Sequence, residues 1–424
     1  MTNHPSRRQF LHSSLAGASA ALLPDWTSAV AAGLPTATRR RPRVAAINSI
    51  YRLRSHAYHI AGRFIYGYTI EGQHHQPEFD LVRMFNHQSP PDDLGPRVCQ
   101  QHGIELCSTV ARALGGADSL DVDAVLLIIE HGEYPVNDFG QIEYPRFELF
   151  QEVVDVFRKS GRSVPVFIDK HLSYSHEHAH AMVRTAHEMK FGLMAGSSLP
   201  VVWRRPEYDP PLETPFTEGL VVFGYDRGPQ EIYLFHALET LQCLLERRRG
   251  GETGIKSVVG LRGDAVWKAG DEGRWSWDLL EAALARNPSR NYGNPREQVL
   301  DPSAILIEYA DGTRGAVLNL IEACSENSFA GRIAGSKEIP ATWFVLPQPP
   351  GARFFDPLTY NIEKFFATGR PPYPVERTLL TSTVLDLALH TMHDGGQAKT
   401  GDALNIRYQA PADPGNFHGR WTDA

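Results

Sequence analysis

The chain has 424 residues, 42% of them hydrophobic and 21% charged, and a formal net charge of −7. This composition is ordinary for a soluble globular protein, and the length fits roughly two or three domains with room for a cleft between them. The acidic balance argues against nucleic acid as a partner, because phosphate binding requires an excess of Lys and Arg on some face. The 4 cysteines show no C-x-x-C spacing, so nothing supports a thiolate zinc cluster.

The N-terminus predicts a targeting segment. Ser6–Leu11 reads SRRQFL and closely resembles the twin-arginine signal consensus, and a weakly apolar stretch follows over Leu15–Leu23. Ala29–Ala31 then offers small residues at the positions that a signal peptidase reads. The apolar stretch is too short to span roughly 30 Å of hydrocarbon. We therefore predict a twin-arginine signal peptide over residues 1–31, export to the periplasm or the exterior, and no membrane span in the mature protein.

Residues 42–205 predict a Rossmann-like domain. Continuous apolar runs such as Ala124–Ile129 are typical of strands buried on both faces. Strands that alternate with helices of this length indicate a parallel, doubly wound α/β sheet. The predicted strands are Val44–Ile50, Phe79–Phe85, Ala124–Ile129, Val164–Ile168 and Leu193–Ser197, and the predicted helices are His59–Tyr66, Phe147–Lys159 and His176–Lys190.

Residues 206–395 predict an α+β domain with an open, mainly antiparallel sheet that binds the substrate. Asp311-Gly312 between two apolar runs is a strong hairpin signal. One helix, Glu231–Glu246, enters this domain and two helices close it, while residues 396–424 form a tail. The predicted strands are Ile255–Leu261, Ala304–Tyr309, Gly315–Leu320, Phe329–Ala334 and Thr342–Leu346.

Several short motifs carry a family resemblance. They are VPVFIDK at Val164–Lys170, GLMAG at Gly192–Gly196, RRP at Arg204–Pro206, FHALE at Phe235–Glu239 and the ending Tyr360–Leu389. Over roughly residues 42–395 the chain resembles the Gfo/Idh/MocA oxidoreductases, the family of glucose–fructose oxidoreductase and inositol dehydrogenase. The resemblance implies a sugar or polyol substrate and a nicotinamide that takes the hydride. It also implies that Lys170 reaches the substrate and that His236 faces the same cleft.

The first strand departs from the family pattern. The family opens with G-x-G-x-x-G, because glycines let the backbone close on a pyrophosphate. Here the stretch is AINSIYR without a glycine, and Tyr51 and Arg52 would occupy space that a dinucleotide needs. The family's carboxylate four residues before the substrate-domain histidine is Ile232. We predict weak or absent NAD(P) binding. Were a nucleotide to bind, its contacts would be Ser49, Tyr51, Arg52 and Asn86.

Ligands of open parallel sheets gather beyond the carboxyl ends of the strands. The residues that follow the predicted strands are polar, aromatic and rich in histidine, which suits a hydroxylated substrate and proton transfer near neutral pH. The predicted catalytic residues are Lys170, His236 and His131, and the predicted substrate-binding residues are Glu130, Glu133, Tyr134, His171 and Arg204.

Structural roles are the alternatives for the three catalytic candidates. Lys170 could pair with Asp169 or Glu130, His236 could be a core histidine, and His131 could be a turn residue. The stretch HEHAH at His176–His180 also satisfies the zinc-peptidase pattern H-E-x-x-H. His176, His180 and the later His187 share one helix face beside charged residues, so we place the motif on an exposed surface and assign no metal ligand.

Three functions remain open from the sequence. The first is an exported oxidoreductase of the Gfo/Idh/MocA type that acts on a sugar or polyol. The second uses the same cleft to cleave or rearrange a sugar by acid–base chemistry, with or without a metal. The third is a sugar-binding protein without catalysis. In each case the expected partner is a small carbohydrate, and the oligomeric state, a homo-oligomer included, stays open.

Overall fold

Two β-sheets organise the part of the chain that the computed structural model describes, residues 40–225 and 230–420. The predicted signal peptide over residues 1–31 lies outside these ranges. Within them, every helix is too short or too polar to cross a bilayer.

The first sheet has six parallel strands in the order β5-β4-β1-β6-β7-β8, with a small hairpin of β2 and β3 beside it. This order defines the predicted Rossmann-like doubly wound fold. The elements are β1 (Arg43–Asn48), α1 (His56–Tyr66), β2 (Tyr68–Ile70), β3 (Gln73–His75), β4 (Asp80–Asn86), α2 (Gly95–His102), β5 (Glu105–Cys107), α3 (Val110–Leu114), β6 (Ala124–Ile128), α4 (Arg146–Ser160), β7 (Val166–Asp169), α5 (His176–Met189) and β8 (Leu193–Gly196).

Both faces of the first sheet are buried, which explains its continuous apolar strands. Alternate residues of one strand enter different cores, as Ile47 and Ala46 of β1 do. One core also contains residues of α3, α4 and α5, and the other contains residues of α1 and α2. The carboxyl ends of β6, β7 and β8 therefore lie at one edge of a sheet that is packed on both faces.

The second sheet has seven strands in the order β11-β12-β13-β10-β14-β15-β9. It is mainly antiparallel, as predicted, but β10 pairs parallel with β13 in its centre. The elements are β9 (Arg204–Arg205), β10 (Phe216–Phe223), α6 (Gln230–Leu245), β11 (Ile255–Arg262), α7 (Asp264–Asp271), α8 (Trp277–Arg286), α9 (Pro295–Gln298), β12 (Ser303–Tyr309), β13 (Arg314–Asn319), β14 (Ser328–Ile333), β15 (Ala341–Phe344), α10 (Phe355–Thr368) and α11 (Val375–His393).

Helix α11 ties the two sheets together through side-chain hydroxyls. Thr378 Oγ1 donates to the carbonyl of Ala195 in β8 at 2.6 Å. Thr391 Oγ1 accepts from the amide of Gly260 in β11, also at 2.6 Å. Apolar residues of both sheets and of α6 and α11 belong to one buried cluster. The cleft between the sheets is thus framed by a shared core.

Candidate active site

A cleft of about 940 Å³ opens where the ends of β6, β7 and β8 face helix α6. Its walls carry the three predicted catalytic residues, Lys170, His131 and His236, together with Glu130. Side chains that the sequence reasoning did not assign complete the polar wall, among them His56, Tyr144 and Ser197. The expectation that ligands bind beyond the carboxyl ends of the strands thus selected residues that lie in one cleft.

Two of these residues have a left-handed backbone although neither is a glycine. His131 has φ 71° and Lys170 has φ 63°. Such conformations cost on the order of 1–3 kcal/mol and persist where the surrounding structure holds them. The Lys170 amide donates to the Gly196 carbonyl at 3.1 Å, and the His131 amide donates to the Tyr144 hydroxyl at 3.1 Å. Both side chains are therefore fixed toward the cleft.

Lys170 lines the cleft, as its predicted catalytic role requires, and it also forms the ion pair with Glu130 that was considered as a purely structural role. Its Nζ lies 3.0 Å from Oε1 of Glu130, and Arg146 donates to Oε2 of the same carboxylate at 2.6 Å. Burial raises the pKa of Glu130, but Lys170 and Arg146 outweigh that effect and hold the pKa well below its usual value. The glutamate stays ionised and keeps an ammonium group at the cleft wall.

Behind this pair runs a buried chain of polar groups. Arg146 contacts His171 Nε2 at 3.2 Å, and His171 Nε2 lies 3.0 Å from Oε1 of Glu231. His171 is fully buried, and burial together with Arg146 lowers its pKa. The prediction that His171 binds substrate is therefore corrected. This histidine links the end of β7 to α6. Its partners Arg146 and Glu231 belong to no sequence motif, so the sequence could not identify them.

His236 belongs to a second polar chain on the other side of the cleft. Its Nδ1 lies 2.9 Å from Ser197 Oγ, and Ser197 Oγ donates to Oε2 of Glu239. Burial and the charge of Lys170 hold the pKa of His236 well below its usual value. Burial raises the pKa of Glu239 to about 7. The chain thus ends at a carboxyl group, that of Glu239, whose pKa lies near neutral.

A third pair, His56 with Asp169, lies at the end of β7. Nδ1 of His56 is 2.7 Å from Oδ2 of Asp169, while Oδ1 of Asp169 is buried without a partner in the described part of the chain. The rings of His56 and His131 lie 5.3 Å apart. Burial, and then His56, lower the pKa of His131 to about 4. His131 is therefore neutral at pH 7 and suited to accept a hydrogen bond or a proton.

Three predicted substrate contacts lie elsewhere. Glu133 is exposed outside the cleft, and the Tyr134 hydroxyl bonds His87 Nδ1 at 2.9 Å. Arg204 is buried, pairs with Asp209 and donates to the Pro200 carbonyl at 3.1 Å. Arg204 therefore stabilises the fold and is corrected as a substrate contact.

The turn between β1 and α1 carries most of the predicted nucleotide contacts. Tyr51 is fully buried among core residues beneath α1, so its side chain does not fill nucleotide space as predicted. Its carbonyl accepts from the Leu94 amide at 2.7 Å, which brings the loop after β4 against the turn. Ser49 Oγ donates to the Glu130 carbonyl at 2.6 Å and is likewise committed to the protein.

The other predicted nucleotide contacts are also engaged. The Arg52 amide donates to Ser55 Oγ at 3.2 Å, and the Arg52 guanidinium lies 3.6 Å from Asp92. Asn86 donates to Asp93 at 3.2 Å. A pyrophosphate needs free amides and positive charge. In this turn the amides of Ser49, Arg52 and Ser55 donate within the protein, and aspartates lie beside Arg52 and Asn86. The residues present do not fit a dinucleotide held in the usual way.

The H-E-x-x-H stretch forms no peptidase-type zinc site. His176 Nδ1 bonds Asp386 at 2.7 Å, and His180 Nε2 bonds the Ala403 carbonyl at 3.1 Å. Ligand atoms of His176, Glu177 and Asp386 lie within 4.8 Å of one another. Asp386 also accepts from Gln141 at 3.0 Å, so hydrogen bonds already explain this cluster. The four cysteines are buried and form no disulfide bond with one another.

The two sheets and the cleft between them define the fold of the Gfo/Idh/MocA-type dehydrogenases, as the resemblance predicted. The structure matches GenD2 from gentamicin A biosynthesis in complex with NAD, with a TM-score of 0.52 and 15% identity over 90% of this chain and 100% of that chain. It also matches myo-inositol 2-dehydrogenase of Lactobacillus plantarum (TM-score 0.50, 11% identity, 85% of this chain, 99% of that chain).

A further match is scyllo-inositol dehydrogenase of Lactobacillus casei with bound NAD(H) and scyllo-inositol. Its TM-score is 0.50 and its identity 11%, over 85% of this chain and 99% of that chain. At such identities the likeness establishes the fold alone. A scan of protein-family models finds no match, and neither does a search of curated proteins.

Proposed function

We propose that this protein is a carbohydrate-active enzyme that cleaves or rearranges a sugar or polyol by proton transfer, without a nicotinamide. One contrast carries the proposal. Lys170 and His236 share a cleft with further acid–base groups, whereas the β1–α1 turn has no glycine, bonds the Arg52 amide to Ser55 and places the Arg52 guanidinium beside Asp92.

The cleft walls support a hydroxylated substrate of modest size. Tyr225 and Tyr233 stack with ring centroids 3.3 Å apart, which provides an aromatic surface for the apolar face of a sugar ring. Ser198, Glu322 and Asn327 offer polar groups for hydroxyls on the same cleft. Few polar groups on a partly apolar wall are typical of small-ligand sites. Solved neighbours of the same fold include inositol dehydrogenases.

The residue roles follow from charge. Neutral His236 accepts a proton from the substrate. The Lys170 ammonium, held by Glu130 at 3.0 Å, donates to the substrate oxygen on which negative charge develops. Collapse of that charge then expels a leaving group or returns the proton at another carbon.

The test is solvent exchange. The purified protein is incubated in D₂O with a panel of sugars, sugar acids and polyols, and NMR follows deuterium uptake at carbon. We expect uptake with at least one panel member, lost in Lys170→Met and His236→Gln. Lys190→Met is the matched control, because Lys190 is also a left-handed lysine (φ 57°) but lies exposed outside the cleft. Binding without exchange or conversion would contradict the proposal.

A second candidate function is dehydrogenation with NAD(P), favoured by the NAD-bound neighbours of the same fold. The two candidates separate in one assay. Denaturing the purified protein releases any bound nucleotide, which absorbance and mass spectrometry detect. Near-stoichiometric release would overturn the nicotinamide-free proposal.

We also propose that the protein is exported in folded form, on the strength of SRRQFL at Ser6–Leu11. Replacing Arg7 and Arg8 by Lys should hold the full-length precursor in the cytoplasm. Cell fractionation measures this, and unchanged export of the double variant would contradict it.

A further inference from the structure

We propose that Glu239 is the end of a proton relay, His236–Ser197–Glu239, which lets His236 act as a base while its imidazole stays neutral. The inference rests on the proposed function, since it concerns the same cleft. Glu239 does not line that cleft, so it is a positioning residue that acts through Ser197 and His236.

The geometry provides a continuous path. His236 Nδ1 lies 2.9 Å from Ser197 Oγ, and the same oxygen bonds Oε2 of Glu239. The Ser197 amide also donates to both carboxyl oxygens of Glu239, at 3.1 and 3.2 Å. His236 Nε2 has no hydrogen-bond partner among the described residues, and His236 lines the cleft. Nε2 is therefore the nitrogen that meets a substrate.

The protons balance along this path. Before reaction, Nδ1–H of His236 donates to Ser197 Oγ, and the Ser197 hydroxyl donates to the Glu239 carboxylate. When Nε2 takes a proton from the substrate, the Nδ1 proton moves to Ser197 and the Ser197 proton moves to Glu239. Afterwards Glu239 is a neutral acid, Ser197 is again a hydroxyl, and His236 is neutral with its proton on Nε2. One proton has entered, and the negative charge has left Glu239.

The surroundings of His236 explain why a relay is needed. An imidazolium at this position would be buried and would lie near the charge of Lys170, so burial and that charge hold the pKa of His236 well below its usual value. His56 and His171 act in the same direction, and Glu130 opposes them. A base that had to keep the positive charge would be weak here. Passing the charge to Glu239 removes this cost.

The surroundings of Glu239 suit a group that gains and loses a proton. It is fully buried, and burial raises its pKa to about 7. Of its charged or titratable neighbours, Arg377 on α11 lowers this pKa and Asp169 at the end of β7 raises it. Tyr373 before α11 and Cys243 on α6 are also close enough to feel its charge. None of these neighbours forms a hydrogen bond with the carboxyl group, which leaves Ser197 as its partner in the described chain.

The backbone is shaped around this carboxyl group. Gly196 has φ +132°, and a Cβ there would come within 2.6 Å of Oε1 of Glu239. A side chain at this position would push the carboxyl group away from Ser197. The close approach of β8 to α6 thus allows the hydrogen bond between Ser197 and Glu239.

The experiment follows the tautomer of His236 without any substrate. The full protein is labelled with ¹⁵N in its histidine rings, and NMR identifies the His236 signals by their loss in His236→Gln. Between about pH 5 and about pH 9 we expect His236 to stay neutral and to switch from the Nε2–H to the Nδ1–H tautomer, with a midpoint near 7. An imidazolium in this range, or one tautomer throughout, would overturn the relay.

Variants test the path link by link. Glu239→Gln and Ser197→Ala should abolish the pH-dependent switch, whereas Ser197→Thr keeps a hydroxyl and should preserve it. Ser198→Ala is the control, because Ser198 lines the same cleft without bonding either partner. If Ser197→Ala does not fold, the comparison of Glu239→Gln with Ser197→Thr still tests the relay.

Persistence of the switch in folded Glu239→Gln would refute the relay. Failure of the deuterium-exchange assay with the switch intact would instead overturn the proposed function alone.

Discussion

The carboxyl edge of the first sheet has two halves that differ in almost every respect. At β6, β7 and β8, Lys170 and Ser197 line an open cleft and connect to buried acids, Glu130 and Glu239. At β1 and β4, the turn is closed: Tyr51 is in the core and the Arg52 amide is bonded to Ser55. The half at β6, β7 and β8 exposes titratable groups to the cleft, whereas the polar groups at β1 and β4 form hydrogen bonds within the protein.

The difference teaches that the β1–α1 turn is held by packing and hydrogen bonds within the protein. Tyr51 belongs to the same buried cluster as residues of α1 and α10, and its carbonyl holds the loop after β4. A glycine placed at this turn would therefore not recreate a phosphate cradle. The two halves are nevertheless joined, because Ser49 Oγ donates to the Glu130 carbonyl and His56 of α1 bonds Asp169 at the end of β7.

The largest expected effect concerns the open half. Lys170→Met keeps most of the aliphatic stem, so the fold should survive, while deuterium exchange or turnover should fall by about 10²–10⁴-fold. Activity at saturating substrate and thermal unfolding are measured side by side, with Lys190→Met as control. A variant that loses thermal stability but keeps its turnover would show that Lys170 serves the fold.

The next effect concerns the closed half. Tyr51→Ala should lower the free energy of unfolding by about 3–5 kcal/mol, because a fully buried aromatic side chain leaves a cavity. Urea denaturation measures this. Tyr292→Ala, at a tyrosine that is 84% exposed, should change stability by no more than about 0.5 kcal/mol. Equal, small effects would mean that the turn is not packed.

A smaller effect depends on pH. Burial, and then Arg63, lower the pKa of His59 to about 3, against about 6.5 in the unfolded chain. The unfolded chain therefore binds this proton as pH falls below about 6.5 and the folded protein does not, so stability is present above that pH and declines below it.

His59→Phe should reduce this loss by about 2 kcal/mol between pH 7 and pH 5. The new ring would keep the stack on Phe355, whose centroid lies 5.0 Å from that of His59. Urea denaturation at both pH values gives the comparison, and an unchanged difference would argue against a buried neutral His59.

The smallest effect is a gain. The Tyr51 hydroxyl is buried without a hydrogen-bond partner in the described chain. Tyr51→Phe removes this unpaired group and should raise the free energy of unfolding by up to about 1 kcal/mol. A loss instead would reveal a partner such as a buried water.

Much of the fold was predictable because its signals are local. Buried strands such as Ala124–Ile128 are continuous apolar runs, and Asp311-Gly312 marked the hairpin of β12 and β13. Strand β5 was missed because it has only three residues. Strand β10 and helices α7, α8 and α9 were also missed, although β10 contains the apolar run Leu220–Phe223 and α8 has buried residues at helical spacing.

The site was predictable where a residue ends a strand or matches a motif. Lys170, His131 and His236 were found in this way and share the cleft. Ser197 ended a predicted strand and could have been found by the same rule. Glu239 and Arg146 could not, because their roles depend on which oxygen lies opposite them in the folded chain.

Helix α11 has a consequence for how the molecule comes apart. Its hydroxyls bond β8 at one end and β11 at the other, and the apolar cluster around it contains residues of both sheets. Opening either sheet alone would break these bonds and expose that cluster to water. Amide hydrogens of β8 and β11 should therefore exchange with solvent at one common rate, set by global unfolding. Heating should accordingly melt both sheets in a single cooperative transition.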